Sequence, residues 1–376
     1  MGQSIIDTDG LGALVQVLIG DGYQVIGPTV SGSAIVLAEL TDAGQLPAGW
    51  GVETGPGYYR LRPREDDAMF AHSAGPQSWK TFLHPARRKL WSTDEDGSFR
   101  AADEETPRYA LLGVRGCDLA AIAKLHGVLG GGSHPDGSFE ARHRSLFVVA
   151  VNCTEPGEVC FCASMGTGPG AGPGADLTLT ELTASGPADS HRFLVETGTE
   201  AGADLLGRLD HRDAAADETD RARTEVAAAA HRMGRAMPEV DLRALLAGSR
   251  DSTHWEDVAE RCLTCGNCTM VCPTCFCTTT EDVTDLTGDH TERWQRWQSC
   301  FELDFSYLHG GSVRSSGESR YRQWLTHKLG TWYDQFGGSG CVGCGRCIAW
   351  CPVGIDLTEE VGRLAATAAA GESADA

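Results

Sequence analysis

The sequence predicts an α/β body followed by a smaller, cysteine-rich domain. Three observations carry this. Short apolar runs bounded by Gly and Pro alternate with helical patterns up to about residue 240. One cysteine run then occurs twice, as Cys262-Leu-Thr-Cys265-Gly-Asn-Cys268-Thr-Met-Val-Cys272-Pro273 and Cys341-Val-Gly-Cys344-Gly-Arg-Cys347-Ile-Ala-Trp-Cys351-Pro352. The length of 376 residues suits two or three domains with ample core, so the 15 cysteines are not needed as staples.

The elements follow in order. Residues 11–22 set Leu11, Leu14, Val15 and Leu18 at helical spacing, ended by Gly20 and Gly22. Tyr23-Gln-Val-Ile26, Ser33-Ala-Ile-Val-Leu-Ala38 and Tyr58-Tyr-Arg-Leu61 read as strands. Arg108-Tyr-Ala-Leu-Leu-Gly-Val114 is a buried-strand run. Arg115-Gly-Cys-Asp118 is a turn with Asp118 as the expected N-cap, and residues 119–129 form an apolar-striped helix closed by Gly130, Gly131 and Gly132. Ser145-Leu-Phe-Val-Val-Ala-Val151 is a second strand, so the unit predicts a parallel pair with a crossover helix. Residues 166–174 read as a surface loop, 176–182 and 193–196 as strands, and 217–237 as a helix. The domains are placed at 1–240 and 241–365, with 366–376 as a disordered tail.

Each cysteine run is C-x2-C-x2-C-x3-C-P, the pattern of bacterial two-cluster ferredoxins. A cubane iron–sulfur cluster needs four thiolates converging on one small body. Three come from one run. The fourth, before Pro, ligates the other cluster. The expected sets are Cys262, Cys265, Cys268 and Cys351 for cluster one, and Cys341, Cys344, Cys347 and Cys272 for cluster two. The fold class is therefore an α/β N-terminal domain plus a C-terminal two-cluster ferredoxin-like domain, with 68 residues between Cys272 and Cys341. A zinc ribbon from Cys262, Cys265, Cys341 and Cys344 is the competing use. It leaves Cys268, Cys272, Cys347 and Cys351 idle in the same register twice.

Seven cysteines remain. Cys117 and Cys153 follow two successive strands, and Cys160 and Cys162 lie just beyond. In a parallel sheet these fall on the carboxyl edge, where ligands bind. Four thiols there could hold a third cluster, or they are buried free cysteines acting as small hydrophobes. Cys275 and Cys277 line the cluster shell or join Cys300 and a non-Cys ligand in another site, and packing thiols near a cluster are the favoured reading. Trp294, Trp297 and Phe301 recur at helical spacing, in an aromatic set that suits core packing.

The formal net charge of -21 argues against nucleic acid and anionic lipid as partners. No stretch is apolar enough to span a bilayer, and no charged-then-apolar leader follows Met1. The expected location is cytoplasmic, where clustered cysteines read as metal ligands. The glycine-rich residues 166–172 lack the Lys-Ser/Thr of a P-loop and the strand–helix setting of a dinucleotide fingerprint. No hydrolytic triad or zinc-protease motif is present, so no substrate-converting centre is expected in this chain.

Several segments together resemble the beta subunit of cytosolic NAD(P)-linked nickel–iron sulfhydrogenases, a family that includes an electron-transfer component of anaerobic sulfite reductase. They are Pro56-Gly-Tyr-Tyr-Arg-Leu61, Gly75-Pro-Gln-Ser-Trp-Lys-Thr-Phe-Leu83, Gly113-Val-Arg-Gly-Cys-Asp-Leu119 and Cys160-Phe-Cys-Ala-Ser-Met-Gly-Thr-Gly-Pro169, with both cysteine runs. Gly116 stands where the family often has Pro. The resemblance implies a subunit carrying two 4Fe-4S clusters. It would relay electrons between hydrogenase large and small subunits and a flavin subunit that binds NAD(P). The same role in a sulfite reductase complex is the alternative, and a non-redox protein with structural metal sites a remote one.

Overall fold

The apolar runs close into one large mixed sheet. The computed structural model describes residues 2–374 except 95, 103–105, 185, 187 and 188, with side chains as far as Ala370. The strands in chain order are β1 Gln3–Asp7, β2 Gln24–Ser31, β3 Ala34–Glu39, β4 Trp50–Gly55, β5 Tyr58–Pro63, β6 Arg87–Thr93 and β7 Phe99–Ala101. They continue as β8 Tyr109–Val114, β9 Phe147–Val151, β10 Leu177–Leu182, β11 Arg192–Thr197, β12 Arg212–Asp213, β13 Thr278–Thr284 and β14 Thr291–Trp297. Eight of them form the order β12-β1-β11-β10-β9-β8-β2-β3. Its centre, β10-β9-β8-β2, is parallel.

Strands β8 and β9 carry almost no polar residue because both faces of the sheet are covered. Ala110, Leu112, Phe147, Val149 and Val151 pack on one face with Leu11, Leu14, Val15 and Leu18 of the helix Thr8–Gly20. Leu111, Val114, Val148 and Ala150 pack on the other, under Leu119, Ile122 and Leu125 of the helix Gly116–Leu125. The crossover between β8 and β9 is thus the expected one.

Several boundaries differ from the sequence expectation. The first helix starts at Thr8, because the Asp7 carboxylate accepts from Gly10 N at 2.8 Å and caps it. The helix after β8 starts at Gly116, with Arg115 at the N-cap position. Asp118 is therefore not a cap; its carboxylate is buried and accepts from Arg346. The helix Ala216–His231 stops short of residue 237. The last helix, Leu357–Ala374, runs through most of the segment expected to be a disordered tail, an Ala-rich stretch of high helix propensity. Residues 375 and 376 lie outside the described residues.

A second sheet, in the order β13-β14-β6-β7, was not foreseen. Trp294 and Trp297 lie on β14, so their helical spacing is incidental, and Phe301 lies beyond its end. This sheet joins residues 87–101 to residues 278–297, across the expected domain boundary. A second core includes Trp255, Val258, Phe301, Leu325, Ile348 and Val361, and takes in Ala74, Val159 and Phe161 from the N-terminal body.

Candidate metal centre

The two cysteine runs adopt the same backbone path. Thr264 and Gly343, each just before the second cysteine, have φ of 51° and 67°; Gly266 and Gly345, each just after it, have 73° and 74°. One helical turn follows in each, Asn267–Met270 and Arg346–Ala349. The left-handed positions wrap the chain tightly enough to bring thiols two residues apart onto one side.

The fourth cysteine of each run lies towards the other run. Cys262, Cys265, Cys268, Cys347 and Cys351 line one cavity, with Phe301, Tyr321 and Trp324 in its apolar wall. Cys272 sits with the other run. Lys328 Nζ lies 3.3 Å from Cys272 Sγ, 2.9 Å from Thr274 Oγ1 and 3.3 Å from Gly340 O, beside Cys341. Cys262 and Cys265 line the first cavity, and Cys341 and Cys344 do not. Among the described residues, no group of three or more His, Cys, Asp or Glu could hold a single metal ion.

Backbone N–H groups point at the sulfurs. Thr264 N donates to Cys262 Sγ at 3.4 Å, Gly343 N to Cys341 Sγ at 3.4 Å, and Ile355 N to Cys351 Sγ at 3.3 Å. Burial pushes Cys341 up to about 12 and Cys344 up to about 11, and takes Cys268 and Cys347 well above the ordinary thiol value. Such thiols lose their protons readily only when a metal takes the charge. The donor set fits iron–sulfur clusters: thiolates alone, amides aimed at sulfur, and a buried cation to offset the negative charge.

The carboxyl edge of the large sheet brings together the other four cysteines. Cys117 and Cys153 follow the neighbouring parallel strands β8 and β9. Both line one cavity with Cys160, Cys162 and Cys344. The glycine-rich segment is not a free surface turn. It folds over this cavity, where Pro169 is part of the lining and Pro169 O accepts from Cys153 N at 3.1 Å. A Cβ at Gly168 would stand 2.8 Å from Cys162 Sγ, which explains glycine there. Cys275 packs against Cys272, whose hydrogen bond raises the Cys275 thiol; Cys277 and Cys300 are partly buried, and burial takes Cys300 up to about 12.

Sequence reasoning missed the buried cations. Lys80, Lys328 and Arg346 are at most 7 % exposed. Lys80 Nζ donates to Cys275 O at 2.9 Å and sits 3.7 Å over the Trp297 ring. Arg346 pairs with Asp118 at 2.8 Å. Burial pulls Lys328 down, but the sulfurs of Cys272, Cys275 and Cys341 outweigh it and hold the ammonium well above the usual lysine value. The signal available was only that Lys328 and Arg346 lie close to the cysteine runs.

Duplicated cysteine loops, thiols gathered around cavities and amides directed at sulfur define an iron–sulfur protein of the electron-transfer class. Residues 261–355 match the family described as a 4Fe-4S dicluster domain. Over 289 residues the chain is 31% identical to sulfhydrogenase 2 subunit beta of Pyrococcus furiosus, covering 74% of this chain and 81% of that one. The chain belongs to the sulfhydrogenase beta-subunit family. Among the described residues no helix is long and apolar enough to cross a membrane.

Proposed function

We propose that the chain relays single electrons between a nickel–iron hydrogenase module and a flavin subunit that binds NAD(P), in the cytoplasm. Cys262, Cys265, Cys268 and Cys351 would hold one 4Fe-4S cluster, and Cys341, Cys344, Cys347 and Cys272 the other. The observation that carries this reading is that Cys351 lines the cavity of the first run, while Cys272 shares Lys328 with Gly340, the residue before the second run. A bound 4Fe-4S cluster supplies reversible one-electron chemistry at a potential set by hydrogen bonds and burial.

The chain's own residues do the rest. The cysteines fix position. The N–H groups of Thr264, Gly343 and Ile355 and the Lys328 ammonium stabilise negative charge on sulfur. Phe301, Tyr321 and Trp324 keep water from the first cavity. Splitting a hydride into electrons needs a flavin. The glycine-rich residues 166–172 pack towards the cysteines, and this reading assigns the flavin to a partner.

Anaerobic purification with native partners tests this. About eight irons with matching acid-labile sulfide for the two runs, EPR signals after dithionite, and a co-purifying nickel-containing protein are expected. A siroheme protein in its place would move the chain to a sulfite-reducing complex. A chain that binds no iron would overturn the reading altogether.

A further inference from the structure

We propose that Cys117, Cys153, Cys160 and Cys162 hold a third 4Fe-4S cluster, at the carboxyl edge of the large sheet. This deepens the electron-relay reading and rests on it. All four line one cavity of about 70 Å³, more than twice the roughly 30 Å³, on the same measure, of the cavity framed by Cys262, Cys265, Cys268 and Cys351. Room is therefore not limiting. The thiols come from three separate pieces of chain, the ends of β8 and β9 and the loop beyond, which is how a site is built rather than how spare cysteines scatter.

The wall of the cavity supplies what an anionic cluster needs. Arg115 and Arg346 both line it. Arg346 is matched by Asp118, leaving Arg115 as the added positive charge. Arg115 Nη2 donates to His72 O at 3.0 Å, yet Arg115 Nη1 is buried with no protein partner, as are His72 Nε2 and Ser73 Oγ beside it. Polar atoms left unmet in a dry site are destabilising. Sulfide or thiolate sulfur in the cavity would be an acceptor for the Arg115 and Ser73 donors. Met233 Sδ lies 3.8 Å from Cys162 Sγ and closes one side.

The placement also orders the sites. The loop bearing Cys160 and Cys162 is clamped to the second cysteine run. Phe161 N donates to Gly343 O at 2.9 Å, Thr167 Oγ1 donates to Val342 O at 2.6 Å, and Cys344 lines the third cavity too. The third site thus adjoins the second run, and the second run adjoins the first because Cys347 also lines the first cavity. Cys265 is exposed at the far end. Three sites in series would reach from the α/β body to that surface.

The test is iron and acid-labile sulfide analysis of the full chain, with Mössbauer and EPR spectra of the reduced protein. About twelve irons are expected, and about eight in each of the Cys117→Ala and Cys153→Ala variants, with the signals of the other two clusters retained. Wild-type protein holding about eight irons, or zinc at this site, would overturn the third cluster while leaving the two-cluster relay standing. Wild-type protein without iron would remove both. Should either variant fail to fold, the wild-type Mössbauer area decides alone.

Discussion

Lys328 places an ammonium 3.3 Å from Cys272 Sγ, in a position 4 % exposed. Each electron added to a cluster at Cys272 would increase negative charge next to that cation. The cation therefore favours the reduced state and raises the midpoint potential. A charge-assisted hydrogen bond contributes about 1.5–3 kcal/mol. Expressed as a one-electron couple, Lys328→Met should lower the potential of one cluster by roughly 60–130 mV. Redox titration followed by EPR reads this directly, with iron content checked in parallel. An unchanged potential at full iron content would show that the ammonium only fills space. Residues of this kind were illegible in the sequence, because Lys and Arg are presumed exposed until the fold shows otherwise. The cysteines were legible because their spacing is the chemistry.

At the level of elements, the second cysteine loop meets the α/β body through backbone. Gly343 has φ of 67°, and a Cβ there would lie 2.6 Å from Cys162 N and Cα. Gly12 lies in the helix Thr8–Gly20 with open space around it. The same chemical change should therefore have opposite signs. Gly343→Ala should destabilise by about 1–3 kcal/mol from backbone strain, and further where the Cys162 backbone must shift. Gly12→Ala should stabilise by about 0.5–1 kcal/mol. Chemical denaturation of both variants measures this, and a Gly343→Ala protein as stable as wild type would remove the tight contact. Legibility also divided by element. Strands β8 and β9 could be read because burial on both faces leaves continuous apolar runs. Strands β6, β13 and β14 could not. They are held by cross-strand ion pairs such as Lys89–Glu292 at 2.6 Å and Arg293–Asp282 at 2.6 Å, and by Arg87 stacked 4.0 Å from the Trp294 ring. Strands with charge on them show no period-2 apolar signal, so tryptophans three apart looked helical.

At the scale of the whole molecule, the chain divides near residue 240 by sequence pattern but not by contact. The second sheet needs β6 and β7 from one side and β13 and β14 from the other. Lys80 is held by Cys275 O and Trp297, and Arg346 is neutralised by Asp118, both across the same divide. Removing one partner of a buried ion pair typically costs about 3–5 kcal/mol, a large part of a domain's total of about 5–15 kcal/mol. A fragment of residues 241–376 would lose Asp118 opposite Arg346. It would also lose two strands of the small sheet and the residue 159–162 surface that covers Gly343 and Gly345. We expect this fragment, made alone, to be insoluble or to hold clearly less iron than the same residues do in the intact chain. Co-expression with residues 1–240 should restore solubility and iron together, because the missing partners then return in trans. A soluble fragment holding about eight irons unaided would show that the two-cluster region is an autonomous ferredoxin merely carried by the α/β body. The buried Arg346–Asp118 pair and the shared sheet argue for the other outcome, in which the body is part of the cluster-bearing structure.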